Sequence, residues 1–168
     1  LVQCLKCLEG MFYMKILYIC THNRCRSILC EAITNASNGN VEARSAGSQP
    51  VGEVHPLSLK YLAERGFSTD GLQSQSWDEF EDYDADLVVT VCDSAAGESC
   101  PVYFGKSLKV HWGLEDPSKL EGSEQEKAEA FNNTIDIIEK RVAALAELAE
   151  KNLDKAALKE ALSKLGAQ

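Results

Sequence analysis

The sequence lacks the excess of basic charge that a nucleic-acid surface needs. Its 26 acidic residues outnumber 17 Lys and Arg, for a net charge of −9. Phosphate-backbone binding needs a cationic face, so nucleic acid is excluded as a partner. It also lacks an apolar run near the ~20 residues that span a bilayer, so no membrane association is expected. Leu1–Gly10 has no apolar core leading to a small-residue cleavage site, as a signal peptide would. There is no internal repeat, no low-complexity tract and no composition break that would mark a second domain.

Cysteine, by contrast, is plentiful: Cys4, Cys7, Cys20, Cys25, Cys30, Cys92 and Cys100. An odd number at irregular spacing, without a secretion signal, argues against a static disulfide framework. A cytoplasmic location is expected, with cysteines that are catalytic, redox-active or buried. The chain starts with Leu1, and Met11 and Met14 stand just ahead of the first strand-like run. Residues 1–13 are therefore read as an N-terminal extension, 14–150 as the working domain and 151–168 as a solvated helical tail.

Strand signals fall at Lys15–Ile19, Val41–Ser45, Asp86–Cys92 and Leu108–His111, rich in β-branched and apolar residues. Between them lie helical patterns: Ile28, Leu29, Ala32 and Ile33, then a helix entered at His55-Pro56 and stopped at Gly66. Phe131, Ile135, Ile138, Val142 and Leu145 recur at steps of four, three, four and three, a long amphipathic helix. The phase slips near Asn152, and a last short helix ends at Gly166. The expected fold is α/β: one domain with a four-stranded parallel sheet flanked by helices on both faces. Ligands of such sheets sit at the carboxyl ends of strands, where the Cys20 and Cys92 segments lie.

An acidic protein that binds an anion must build a local positive site. Cys20-Thr-His-Asn-Arg-Cys-Arg-Ser27 follows a strand and opens a helix. Amides of a tight loop and the helix N-terminus converge there and favour negative charge. Arg26 adds a planar fork for oxyanion oxygens, and the same field favours a thiolate at Cys20. Ser27 can donate to that sulfur, and Asn23 can brace the loop. Thr21, His22, Asn23, Arg24, Cys25, Arg26 and Ser27 form the candidate oxyanion-binding set. The bland alternative is an ordinary strand-to-helix turn holding a buried Cys and a surface Arg.

This octapeptide resembles the phosphate loop of the low-molecular-weight protein tyrosine phosphatase fold, which hosts both phosphate-ester hydrolysis and arsenate reduction. Arsenate reduction consumes two electrons, which thiols supply by forming a disulfide. Cys92 and Cys100 stand eight apart across a Gly/Ser/Ala-rich stretch, suited to stepwise thiol–disulfide exchange. The pattern resembles the three-cysteine arsenate reductases of this fold, and so does His111-Trp-Gly-Leu-Glu-Asp116-Pro117, over roughly Met14 to Leu148.

The resemblance implies Cys20 as nucleophile, Asp116 as general acid, and Cys92 and Cys100 as the disulfide shuttle. It also implies thioredoxin as reductant, with glutaredoxin/glutathione as the alternative. Phosphate and sulfate would compete with arsenate. Ser118-Lys119 stands where phosphatases of this fold carry an aromatic residue, which favours a small inorganic anion.

His22 departs from the small residue usual at the loop crest, and Arg24 adds a second cation. Asn23, Glu31 and Ser45 match three members of a monovalent-cation site found in some relatives. Gln75-Ser76 replaces the Asp, so neither a metal nor another cofactor is expected. Cys25 and Cys30 read as structural, and Cys4-x-x-Cys7 has no matching ligand pair nearby. His55 reads as a helix-entry residue, and His111 and Trp112 as site-wall packing. A monomer is the default expectation. The rival activities are phosphate-monoester hydrolysis and, from another class, a non-catalytic module that clamps arsenite.

Overall fold

The computed structural model describes residues 14–37, 39–93, 101, 104–151 and 153–166. Cys4, Cys7 and Cys100 lie outside these residues. Four strands form one parallel sheet: β1 (Met14–Cys20), β2 (Val41–Gly47), β3 (Leu87–Thr90) and β4 (Leu108–His111). Their spatial order is β2-β1-β3-β4. Each strand is found where the β-branched runs predict it, although β3 is shorter than the 86–92 run, and β2 continues to Gly47.

Successive strand residues point to opposite faces. Every β1 residue from Ile16 to Cys20 is buried, so both faces of the sheet are covered. The covering helices are α1 (Arg26–Ala36), α2 (Pro56–Glu64), α3 (Glu124–Glu150) and α4 (Lys155–Leu165). The chain leaves β1 to one side for β2, then returns across it to β3 on the other. That reversal opens a crevice beyond the carboxyl ends of β1 and β3, the standard ligand position in open α/β sheets.

Local chemistry sets the helix ends. His55 caps α2, its Nδ1 accepting from the Leu57 N–H at 3.1 Å, and Pro56 occupies the first turn. Gly66 ends that helix at φ +84°. Ser123 and Glu126 form a reciprocal capping box at the start of α3. Asn35 near the end of α1 grips both backbone groups of Ala43 on β2, at 2.8 and 2.9 Å. The α3 stripe buries Phe131, Ile135, Ile138, Val142 and Leu145, the five residues that the periodicity picks out.

The C-terminal helix differs from the sequence expectation. α4 is not a solvated tail: Leu162 is fully buried, and the Trp112 indole N–H donates to the Leu162 carbonyl at 2.8 Å. An 11-residue helix with only three well-spaced leucines has a weak apolar stripe. Its docking depends on Trp112, far away in sequence. Among the described residues, no helix is long and apolar enough to cross a membrane.

Two buried thiols give the fold a pH dependence. Burial pushes Cys25 up to about 12, and drives Cys30 up as well, from an ordinary 9.0. Folding thus favours the protonated thiols, and this contribution is fully present below about pH 9. Above that the unfolded chain ionises while the folded one does not, so stability falls as pH rises toward 12. Urea midpoints at pH 8 and pH 10 should show this loss, and Cys30→Ala should shrink it. Truncation of Ile135 to Ala should cost about 2–5 kcal/mol, read as a lower urea midpoint at unchanged slope.

Candidate active site

The loop from Cys20 to Ser27 closes over a small pocket of about 50 Å³, lined by Cys20, Thr21, His22, Arg24, Cys25, Arg26, Asp116 and Lys119. That space suits a group of a few heavy atoms. Six of the eight lining residues belong to the anticipated loop, and Asp116 arrives from the segment after β4. Asn23 and Ser27, which the sequence also places in the oxyanion-binding set, are fully buried and brace the loop from behind.

The bracing is a chain of hydrogen bonds. The Asn23 amide donates to the Ser27 hydroxyl at 2.8 Å and to the Ser45 hydroxyl at 3.0 Å. Its oxygen accepts from the Gln75 N–H at 2.8 Å, which fixes the amide orientation. Ser45 in turn donates to the Glu31 carboxyl at 2.7 Å. Because Ser27 already accepts from Asn23, its own proton is available to the Cys20 sulfur, 2.8 Å away. Asn23 sits at φ +47°, a left-handed conformation that Asn tolerates better than most residues. Glu31 is raised by burial, with the Ser45 bond opposing.

Asn23, Glu31 and Ser45 therefore do meet, held to one another by these bonds, with Gln75 completing the group. Among the described residues no cluster of three His, Cys, Asp or Glu could hold a metal ion.

Arg26 opens α1, where no side chain caps the N-terminal amides. One arm of its guanidinium donates to the Leu114 carbonyl at 3.0 Å, and the other lies 3.6 Å from Asp116. Asp116 caps a 3₁₀ turn at Pro117–Lys119, its Oδ1 accepting from the Ser118 N–H at 3.0 Å. Acid and guanidinium are thus presented side by side at the pocket. Arg24 and Lys119 are exposed at its edge, so three cations serve one small pocket on an otherwise acidic protein.

Cys92 brings a further sulfur toward the loop from outside it. It is buried, and its Sγ lies 3.7 Å from the Thr21 hydroxyl, on the residue that follows Cys20. Cys25 is buried and lines the pocket, and Cys30 lies in the core. His111 and Trp112 do not line the pocket. His111 is exposed and bonds Thr90 and Asp93, whereas Trp112 is buried under α4. His22 leans outward, its Nδ1 3.1 Å from the Gln49 carbonyl.

Three contributors escape sequence reasoning. Leu114 acts through a backbone carbonyl, which has no side-chain signature, and Gln75 acts through its backbone N–H and through its side-chain amide, which donates to the Ser45 carbonyl at 3.3 Å. Gly47 passes so close to the loop that a Cβ would stand 2.5 Å from the Thr21 carbonyl oxygen. Its only sequence signal is a glycine directly after a strand run. Ser27→Ala removes the 2.8 Å bond to the Cys20 sulfur and one acceptor of the Asn23 amide. The urea midpoint should fall, by a loss of about 1–3 kcal/mol in stability.

The chain is similar to known proteins over most of its length. Residues 15–159 match the family described as low molecular weight phosphotyrosine protein phosphatase, and the match ends inside α4. An arsenate reductase of Halalkalibacterium halodurans is 37% identical over 133 residues, 79% of this chain and 94% of that protein. The crystal structure of arsenate reductase from Archaeoglobus fulgidus superposes with a TM-score of 0.64 at 28% identity, covering 81% of this chain and 99% of that one. A thioredoxin-dependent arsenate reductase of Corynebacterium glutamicum gives 0.61 at 28% identity, covering 89% and 68%. With a family match that spans nearly all of the described residues and relatives of the same fold, this chain belongs to the low-molecular-weight phosphotyrosine protein phosphatase family.

Proposed function

We propose that this protein reduces arsenate to arsenite through a relay of Cys20, Cys92 and Cys100, recharged by thioredoxin. The observation that carries this reading is the position of Cys92. A phosphatase needs no thiol at its anion loop from outside it; here the buried Cys92 thiol stands 3.7 Å from the hydroxyl of Thr21, the residue after Cys20. The names of relatives at 33–37% identity support the same chemistry.

In the proposed sequence, arsenate enters the pocket against the α1 amides and the Arg26 guanidinium. The Cys20 thiolate attacks arsenic, and Asp116 protonates the departing oxygen. Cys92 then attacks the Cys20 sulfur. The electron pair of the broken As–S bond stays on arsenic, which leaves as arsenite, and a Cys20–Cys92 disulfide forms. Cys100, outside the described residues, attacks Cys92 and frees the Cys20 thiolate. The resulting Cys92–Cys100 disulfide takes two electrons from a thioredoxin dithiol.

The pocket also bears on the choice of substrate. Its small volume and cationic edge suit a compact inorganic oxyanion, and phosphate and sulfate should compete for it. Lys119 occupies the position at which an aryl ester would gain from an aromatic wall.

The test is NADPH oxidation in a mixture of this protein, thioredoxin, thioredoxin reductase and arsenate. Oxidation should depend on both arsenate and thioredoxin, and Cys100→Ser should stop after one turnover. Multiple turnovers by Cys100→Ser would overturn the relay. Failure of thioredoxin with success of glutaredoxin and glutathione would overturn the proposed reductant. Hydrolysis of an aryl phosphate without any arsenate-dependent oxidation would assign the site to phosphatase chemistry.

A further inference from the structure

Arg141 is the one charged side chain on the buried face of α3, amid Ile138, Val142 and Leu145, and only 7% of it is exposed. A guanidinium in that setting is costly unless its donors are met. One arm donates to the Gly113 carbonyl at 3.3 Å and the other to the Gly166 carbonyl at 3.4 Å. Arg141 thus ties the segment after β4 to the end of α4.

Two further contacts tighten the same junction. The Trp112 indole N–H donates to the Leu162 carbonyl at 2.8 Å. Gly166 lies flat against the strand exit, where a Cβ would collide with the His111 carbonyl oxygen and meet Trp112 Cδ1 at 3.0 Å. The end of α4 is therefore clasped to residues 111–113 from three directions.

That segment leads straight to the anion pocket. The Leu114 N–H donates to the Val91 carbonyl at 3.1 Å, and the Leu114 carbonyl receives the Arg26 guanidinium at 3.0 Å. Two residues later Asp116 stands 3.6 Å from the other arm of Arg26. An unbroken series of contacts joins α4 to both the anion-binding cation and the candidate acid.

We propose that Arg141, acting with the clasped end of α4, is a positioning residue that aims Arg26 and Asp116 into the anion pocket. The C-terminal helix is then part of the site's support. A purely structural role would lower stability and leave anion affinity unchanged. The proposal rests on reading the Cys20 loop as an oxyanion site, and not on arsenate reduction itself.

The experiment uses the full chain and needs no turnover. Cys20 is alkylated with iodoacetamide in the presence of increasing inorganic phosphate or arsenate. Labelling is read on the tryptic peptide Ile16–Arg24, which contains Cys20 as its sole cysteine. In Arg141→Met the anion concentration giving half-protection should rise by about tenfold, at a temperature where urea titration shows the protein fully folded. The unprotected labelling rate should stay within about twofold, because the Ser27 bond to Cys20 and the Asn23 bond that braces Ser27 are untouched. Arg141→Lys should recover part of the affinity. Gly166→Ala, which pushes α4 away from Trp112, should weaken protection in the same direction and decides the matter if Arg141→Met does not fold. Unchanged half-protection in a folded Arg141→Met, or in Gly166→Ala when only that variant folds, overturns the proposal. Absence of anion protection in the wild type overturns the oxyanion reading of the loop and the positioning role with it. Normal wild-type protection with no arsenate turnover would instead fault the proposed reaction alone.

Discussion

The site depends on a run of buried hydrogen bonds that begins at a sulfur and ends at a carboxyl: Cys20, Ser27, Asn23, Ser45 and Glu31. The bonds run outward from Asn23: its amide donates to both Ser27 and Ser45, which frees the Ser27 proton for the Cys20 sulfur while Ser45 donates to the Glu31 carboxyl. Satisfied polar networks in a low-dielectric interior hold one geometry, because any half-broken arrangement leaves a costly unpaired group. Asn23 bears most of this burden. Its side chain makes two of the four bonds and accepts a further one from the Gln75 N–H, and its backbone takes the left-handed turn that brings the loop round toward α1.

Around that network the fold supplies direction and charge. β1 delivers Cys20 and β3 delivers Cys92 to the same crevice, since their parallel register places both carboxyl ends at one edge of the sheet. α1 begins where the loop ends, so its N-terminal amides face the pocket without a competing side-chain cap. A protein of net charge −9 repels anions at long range. Arg24, Arg26 and Lys119 reverse the sign within a few ångströms of the pocket, where screening over about 8–10 Å makes local charge count most.

The second support lies at the far edge of the sheet. β4 would expose an unpaired strand edge, which proteins commonly cover or blunt. α4 packs against this strand, and its end reaches residues 111–113, just ahead of Leu114 and Asp116 in the chain. Stability and site geometry thus draw on the same contacts at Trp112, Arg141 and Gly166.

The amino-acid sequence by itself determined the features that rest on local patterns. Alternating strand and helix signals gave the parallel α/β order, and the five-residue stripe of α3 gave its buried face. Cys20 through Ser27, between a strand and a helix, gave the loop. These are legible because strand, cap and amphipathic patterns arise within a few residues of one another. Only the tertiary structure decided that Asn23 and Ser27 stand behind the pocket, that Leu114 offers Arg26 a carbonyl, and that Gly47 must lack a side chain. It also turned the expected tail into a packed helix and moved His111 and Trp112 off the site wall. Such outcomes depend on backbone groups and close approaches between segments far apart in the chain, which leave no periodic trace in the residues themselves.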